Sequence, residues 1–214
     1  MIYDRLGRWY DVLTAFGEGR LREAGLELLC PQPGEVALEV GCGTGHALLG
    51  LARGVGDGGK VVGIDLSRSM LEVARRRVSR AGLVERVTLV LGDARRLPLP
   101  TGAVDLVFLS FTLELFGDAD ARRVLAECRR VLGKAGRLGV VALDARGEPS
   151  ALRRAYEWAH RQWPEVVDCR PIGLLELLET EGFEVTRSVE DGYWGLTVGA
   201  AVARPRASVT APAD

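Results

Sequence analysis

The chain has 214 residues, 47% of them apolar and 27% charged, with a net charge of −1. That is the make-up of one globular domain with a sizeable core, and it has no basic stripe or tail of the kind that tracks nucleic acid. No run approaches the roughly 20 apolar residues of a membrane span, and the start Met1-Ile2-Tyr3-Asp4-Arg5 lacks a signal-peptide core. Cysteines at 30, 42, 128 and 169 have neither metal-ligand nor disulfide-framework spacing, so reduced thiols, no metal and a cytoplasmic location are expected.

Residues 1–30 carry a helical pattern in Leu6, Trp9, Tyr10, Leu13, Leu21, Leu26, Leu28 and Leu29, closed by Pro31 and Pro33. From Val36 onward short apolar runs alternate with longer helical patterns, the signature of a parallel sheet with crossover helices. The expected strands are Val36–Val40, Lys60–Ile64, Val87–Leu91, Val104–Leu109 and Leu138–Leu143, continuous apolar runs suited to burial on both faces. The expected helices are 46–54, 68–81 and 119–132, and Ser69-Met70-Leu71-Glu72 has the spacing of a capping box that would open the second. After Asp144 the rhythm changes. A helix over 150–163 carries Tyr156, Trp158 and Trp163, a loop follows over 164–171, and a second helix over 172–181 stops at Gly182. Phe183–Val189 and Tyr193–Ala203 read as a terminal hairpin. Residues 1–204 then form one domain, and 205–214 a flexible tail.

The informative segment is Leu38-Glu39-Val40-Gly41-Cys42-Gly43-Thr44-Gly45, which follows the first strand and opens a helix. Glycines there permit a tight turn and let a ligand lie against backbone. No Gly-Lys-Ser/Thr follows, so it is not a P-loop. Counting from Gly41 and Gly43, a dinucleotide fingerprint needs glycine at 46, where His46 stands. Glu39 just before the loop favours a cationic or amino-bearing ligand over a pyrophosphate. Asp65 ends the second strand about twenty residues past the loop, where a carboxylate can accept from both hydroxyls of a ribose. Asp93 ends the third, where a carboxylate can accept from the exocyclic amine of adenine. Three acids at neighbouring strand ends line one crevice, the place where open α/β sheets bind ligands.

Residues 36–143 resemble the core of class I methyltransferases that use S-adenosylmethionine (SAM), and more narrowly the ubiquinone/menaquinone-biosynthesis C-methyltransferase group. The resemblance is carried by Glu39–Gly45, Gly59–Ser67, Ser69-Met70-Leu71, Gly92-Asp93-Ala94, Leu97–Pro100, Asp105-Leu106-Val107, Ser110-Phe111 and Arg130-Val131-Leu132 before Gly136. It implies an α/β, Rossmann-like fold: a seven-stranded, mostly parallel sheet with an antiparallel last strand and helices on both faces. It implies SAM as cofactor, with Gly41, Thr44 and Gly45 at the methionine moiety, Glu39, Cys42 and Gly43 also in the cofactor site, and Asp65 at the ribose. Asp93 and Ala94 would meet the adenine, Leu66 and Met70 would pack on it, and Ser110 would lie near the reacting end. The segment 1–30 resembles a lid, with Tyr3 and Tyr10 over SAM. Where the quinone enzymes continue with Gly-Leu-Arg-Asn, this chain has Thr112-Leu113-Glu114-Leu115, a departure at the acceptor end that leaves the donor motifs intact.

Methyl transfer from a sulfonium needs alignment and exclusion of water more than a dedicated catalytic group. An acidic acceptor would gain from a base, for which Glu114 and His160 are candidates, while Arg170 would suit an anionic acceptor. The acceptor site is expected from what the donor motifs leave over, the segment 1–30 and an insert over 144–182. Its aromatic residues, Trp9, Phe16, Tyr156, Trp158 and Trp163, suit a small, largely apolar acceptor. Quinone-precursor C-methylation, lipid-headgroup N-methylation and SAM binding without catalysis stand as alternatives. No nucleic-acid partner or membrane insertion is expected; transient lipid contact, and a monomer or homodimer, are compatible with the sequence.

Overall fold

The computed structural model describes residues 19–145, 171–193 and 196–206. Its centre is a seven-stranded sheet in the order β3-β2-β1-β4-β5-β7-β6. The strands are β1 (Val36–Val40), β2 (Lys60–Asp65), β3 (Val87–Leu91), β4 (Val104–Ser110), β5 (Leu132–Asp144), β6 (Phe183–Tyr193) and β7 (Leu196–Pro205). β1 to β5 pair in parallel, whereas β7 runs antiparallel to both β5 and β6. The expected fold class and the antiparallel last strand are therefore present.

The helices are α1 (19–29), α2 (His46–Gly54), α3 (Arg68–Arg80), α4 (Asp118–Val131) and α5 (Leu174–Thr180). They cover both faces because the strands are apolar on both. Leu21, Leu48, Leu51, Leu71 and Val78 of α1–α3 pack on Ala37, Val61, Leu106 and Phe108. Val124, Leu125, Cys128, Leu174 and Leu178 of α4 and α5 pack on Leu38, Val40, Val107 and Leu109. α1 lies directly on the sheet because Gly25 has no side chain; a Cβ there would stand 2.2 Å from Val141 Cγ2. Arg137 anchors the end of α1. Its Nε donates to the Leu29 carbonyl at 2.8 Å, and its Nη2 donates to that of Cys30 at 2.7 Å.

Three local differences from the expected elements have physical causes. α3 is capped by Ser67, whose hydroxyl accepts from the Met70 amide at 3.4 Å, so the helix begins at Arg68 and the Ser69–Glu72 box is not used. β5 begins at Leu132, six residues early. Gly133 and Gly136 let the chain pass close to the Val104 and Asp105 carbonyls, at the cost of a register shift between Val104 and Leu106. α5 begins at Leu174 because the backbone of Ile172 is used by β5: its amide donates to the Leu143 carbonyl at 2.9 Å. The expected helix over 150–163, Tyr3, Tyr10, His160 and Arg170 lie outside the described residues, as do 207–214 of the expected tail.

A candidate donor cleft at the switch point

The strand order reverses between β1 and β4, which makes a crevice at their carboxyl ends. The glycine loop fills its mouth. The Gly41 and Cys42 amides both donate to the Ile64 carbonyl, at 2.8 and 3.0 Å, and so tie the ends of β1 and β2 together. Two of the glycines serve packing: a Cβ on Gly41 would fall 2.4 Å from Thr112 Cγ2, and one on Gly45 would fall 2.9 Å from the Ala74 Cβ. Gly43 differs. Its φ is 49° and no atom would lie within 4 Å of a Cβ there, so its backbone faces open space.

Asp65 holds that open turn. One carboxylate oxygen accepts from the Gly43 amide at 2.7 Å and the other from the Ser67 amide at 2.8 Å. Each oxygen retains a further lone pair, so the group can still accept two hydroxyls. Leu66, next in the chain, is 72% exposed, a large apolar side chain that the core does not use. Met70 stands half-buried one turn into α3.

Glu39 is the unusual residue. It is 3% exposed within β1, and its Oε2 has no hydrogen-bond partner among the described residues. Burial pushes its carboxyl well above the usual glutamate range. Arg22 draws it down, the Asp65 charge adds to the rise, and the Leu48 amide offsets part of it. An ammonium beside Glu39 would supply the missing partner and favour the ionised form. The donor set thus fits the amino end of SAM, with Gly43 and Asp65 alongside. The Cys42 thiol is pushed up by burial and by the Glu39 and Asp65 charges, so Cys42 contributes packing and backbone rather than thiolate chemistry. Thr44 turns its carbonyl to Arg77 Nη1.

Asp93, after β3, is already engaged. The Arg95 amide donates to its Oδ1 at 2.9 Å, while Arg95 Nε lies 3.0 and 3.1 Å from its two oxygens and Nη2 lies 2.7 Å from Oδ2. Arg95 Nη1 also reaches Asp120 on α4 at 2.8 Å. The Arg95 guanidinium holds the Asp93 carboxyl below the usual range. An adenine amine would therefore share Asp93 with Arg95. Sequence reading missed that arginine, although the Asp-x-Arg spacing was there to be seen. Ala94 packs against the α4 face of the core.

At the end of β4 the Ser110 hydroxyl is buried without a partner among the described residues. Phe111 follows at φ 52°, a strained value for an aromatic residue, with its amide held by the Val141 carbonyl at 2.8 Å. Thr112 then turns back, its hydroxyl 3.1 Å from the Ser110 carbonyl. Backbone strain of this kind leaves no mark in composition or periodicity. Glu114 is 1% exposed, and its Oε1 accepts from the Leu143 amide at 3.2 Å, which ties the turn after β4 to the end of β5. The cleft thus gathers Glu39, the glycine loop, Asp65 and Ser110.

A sheet of this order with a glycine loop at its switch point defines the class I fold of SAM-dependent methyltransferases. Residues 37–136 match the family described as a methyltransferase domain. It is 36% identical over 159 residues to the nocamycin O-methyltransferase of Saccharothrix syringae, covering 74% of this chain and 54% of that one. It is 35% identical over 148 residues to a demethylmenaquinone methyltransferase of Symbiobacterium thermophilum, covering 67% and 57%. The chain thus spans little more than half the length of these relatives. A SAM-dependent methyltransferase from Aquifex aeolicus superposes with a TM-score of 0.65 at 25% identity, covering 85% of this chain and 88% of that one. Among the described residues no helix is long and apolar enough to cross a membrane.

Proposed function

We propose that the protein transfers a methyl group from SAM to a small, largely apolar acceptor. The observation that carries this reading is the buried Glu39 oxygen without a partner among the described residues, beside a glycine loop held open by Asp65. When bound, SAM supplies a methyl group on a sulfonium, a good leaving group for in-line displacement. Glu39 accepts from the donor's ammonium. Gly41, Cys42, Gly43, Thr44 and Gly45 lay backbone along its methionine moiety. Asp65 accepts from the ribose hydroxyls, Leu66 and Met70 cover the adenine, and Asp93 and Ala94 meet its edge. Ser110 lies where the donor ends and the acceptor begins. Tyr10 from the N-terminal segment covers the donor.

The segments 1–30 and 144–182 build the acceptor site, and the apolar character of their aromatic residues supports an apolar acceptor. The relatives' names include both an O-methyltransferase and a quinone-pathway enzyme, which supports a small organic molecule without choosing the accepting atom. A cytoplasmic setting, a monomer or homodimer and at most transient lipid contact belong to the same reading. The test is a transfer assay with methyl-labelled SAM across phenols, amines, demethylated quinones and phospholipids. Label is expected in one small-molecule class. Transfer confined to phospholipid vesicles, or SAM binding with no transfer to any class, would contradict the proposal.

A further inference from the structure

Ser110 points beyond the donor cleft. In register across the sheet, Ser110 pairs with Val141 of β5, and Val141 with Ala200 of β7. Residues level with one another across a sheet face the same side. Here that side is the α1 face, where Val141, Val198 and Ala200 join Leu21 in the core. The last turn of α1 is pinned by Arg137, whose register partner Leu106 stands near the start of β4. The first turns of α1 therefore stand at the other end, where Ser110 and Val141 lie.

Between those first turns and the β5–β7–β6 edge is a cavity of about 210 Å³. Ala24, Val141, Val198 and Ala200 line it together with the charged Arg20, Glu190 and Asp191. A dry apolar cavity of roughly 150 Å³ suffices for benzene, whereas complete ligand pockets run from about 300 Å³ upward. The space fits one ring, not an entire large ligand, and offers that ring apolar contact from Ala24, Val141, Val198 and Ala200 beside a charged margin. It adjoins the strand position of the Ser110 hydroxyl, which has no partner among the described residues.

We propose that this cavity is the apolar subsite of the acceptor: it takes a single ring and directs that ring's oxygen or nitrogen along the sheet toward Ser110. The proposal rests on reading the glycine-loop cleft as the methyl-donor site. For a phenol, the oxygen lone pair forms the new C–O bond, the C–S pair returns to the donor sulfur, and the phenolic proton leaves to water. The β6–β7 hairpin, through Val198 and Ala200, thereby joins α1 in choosing the acceptor.

The test uses p-cresol as the probe, bound to the full chain in the presence of S-adenosylhomocysteine and read by saturation-transfer NMR. Ala24→Leu fills the cavity from α1 and Ala200→Val from β7, and circular dichroism checks that each is folded. Both variants are expected to weaken p-cresol binding at least tenfold while leaving the S-adenosylhomocysteine dissociation constant within about twofold. No p-cresol binding to the wild type, or unchanged binding in either folded variant, would overturn the subsite. Failure of the wild type to bind S-adenosylhomocysteine in calorimetry would overturn the donor reading instead, and p-cresol binding alone would still decide the cavity.

Discussion

At the scale of single residues, a carboxyl group inside an apolar strand is costly to ionise, and Glu39 occupies such a place with one oxygen unpartnered among the described residues. Its raised pKa has a definite sign in stability. Above the usual value of 4.5 the unfolded chain releases a proton that the folded one keeps, so folding stability falls as pH rises until Glu39 ionises in place. Glu39→Gln lacks that penalty and is expected to gain on the wild type as pH rises above 4.5, as read by thermal melts across a pH series. Donor affinity runs the other way. The ammonium pairs with the ionised carboxylate, so wild-type affinity rises with pH over the same window. The variant is expected to show a flat profile and to bind about tenfold or more weakly, as a lost charged hydrogen bond implies. Parallel pH profiles in the two proteins would remove Glu39 from the ammonium site.

At the scale of elements, the start of α3 separates two serines that sequence spacing alone confuses. Ser67→Ala removes the hydroxyl that accepts from the Met70 amide and is expected to cost about 1 kcal/mol in urea unfolding, the usual worth of an N-cap. Ser69→Ala leaves that bond in place, although its hydroxyl lies 2.9 Å from that of Ser67, and is expected to cost less. The reverse order would restore the capping-box reading. Strands and helices with strong apolar periodicity were legible. β1, α2 and β3 have the bounds their patterns imply. What was hidden depended on partners distant in the chain. The Gly-Lys-Ala-Gly run at 133–136 falls outside every expected element, yet it lies within β5 as an irregular stretch between the Val104–Leu132 and Leu106–Arg137 pairs, where its two glycines admit the neighbouring carbonyls. In the cleft, the residue types and their order were legible, whereas the Arg95 clamp on Asp93 and the strained Phe111 came only with geometry.

At the scale of the whole molecule, Arg137 joins α1, β1 and β5. Besides the Leu29 and Cys30 carbonyls, it binds Glu35 at 2.7 and 2.9 Å, with side-chain exposures of only 12% and 19%. Arg137→Met would take the guanidinium from Glu35 and from the Leu29 and Cys30 carbonyls, leaving the Glu35 carboxylate and the Cys30 carbonyl only their Gln32 bonds. A loss of about 2 kcal/mol is expected in urea unfolding, the usual worth of hydrogen bonds to a charged group. For Glu35, burial alone would push the carboxyl up, but the Arg137 and Gln32 hydrogen bonds and the Arg137 charge together bring it below 4.5. Its contribution is therefore present above 4.5 and lost as pH falls through the lowered value. The variant is expected to lose less stability than the wild type on acidification. An equal acid response would mean that Arg137 does not hold Glu35 in solution.

Open α/β sheets in general hold several nucleotide-bearing ligands at their switch points, so the function of this molecule turns on the identity of the donor. Calorimetric titration of the purified protein with S-adenosylhomocysteine and with NAD, repeated on Asp65→Ala, tests it most directly. The wild type is expected to bind S-adenosylhomocysteine and to show no comparable affinity for NAD. Asp65→Ala is expected to bind about tenfold to a hundredfold more weakly, through the loss of hydrogen bonds to a charged acceptor and of the carboxylate that holds the Gly43 turn. Comparable NAD affinity in the wild type, or undiminished S-adenosylhomocysteine binding by the folded variant, would contradict the assignment of this cleft as the SAM site.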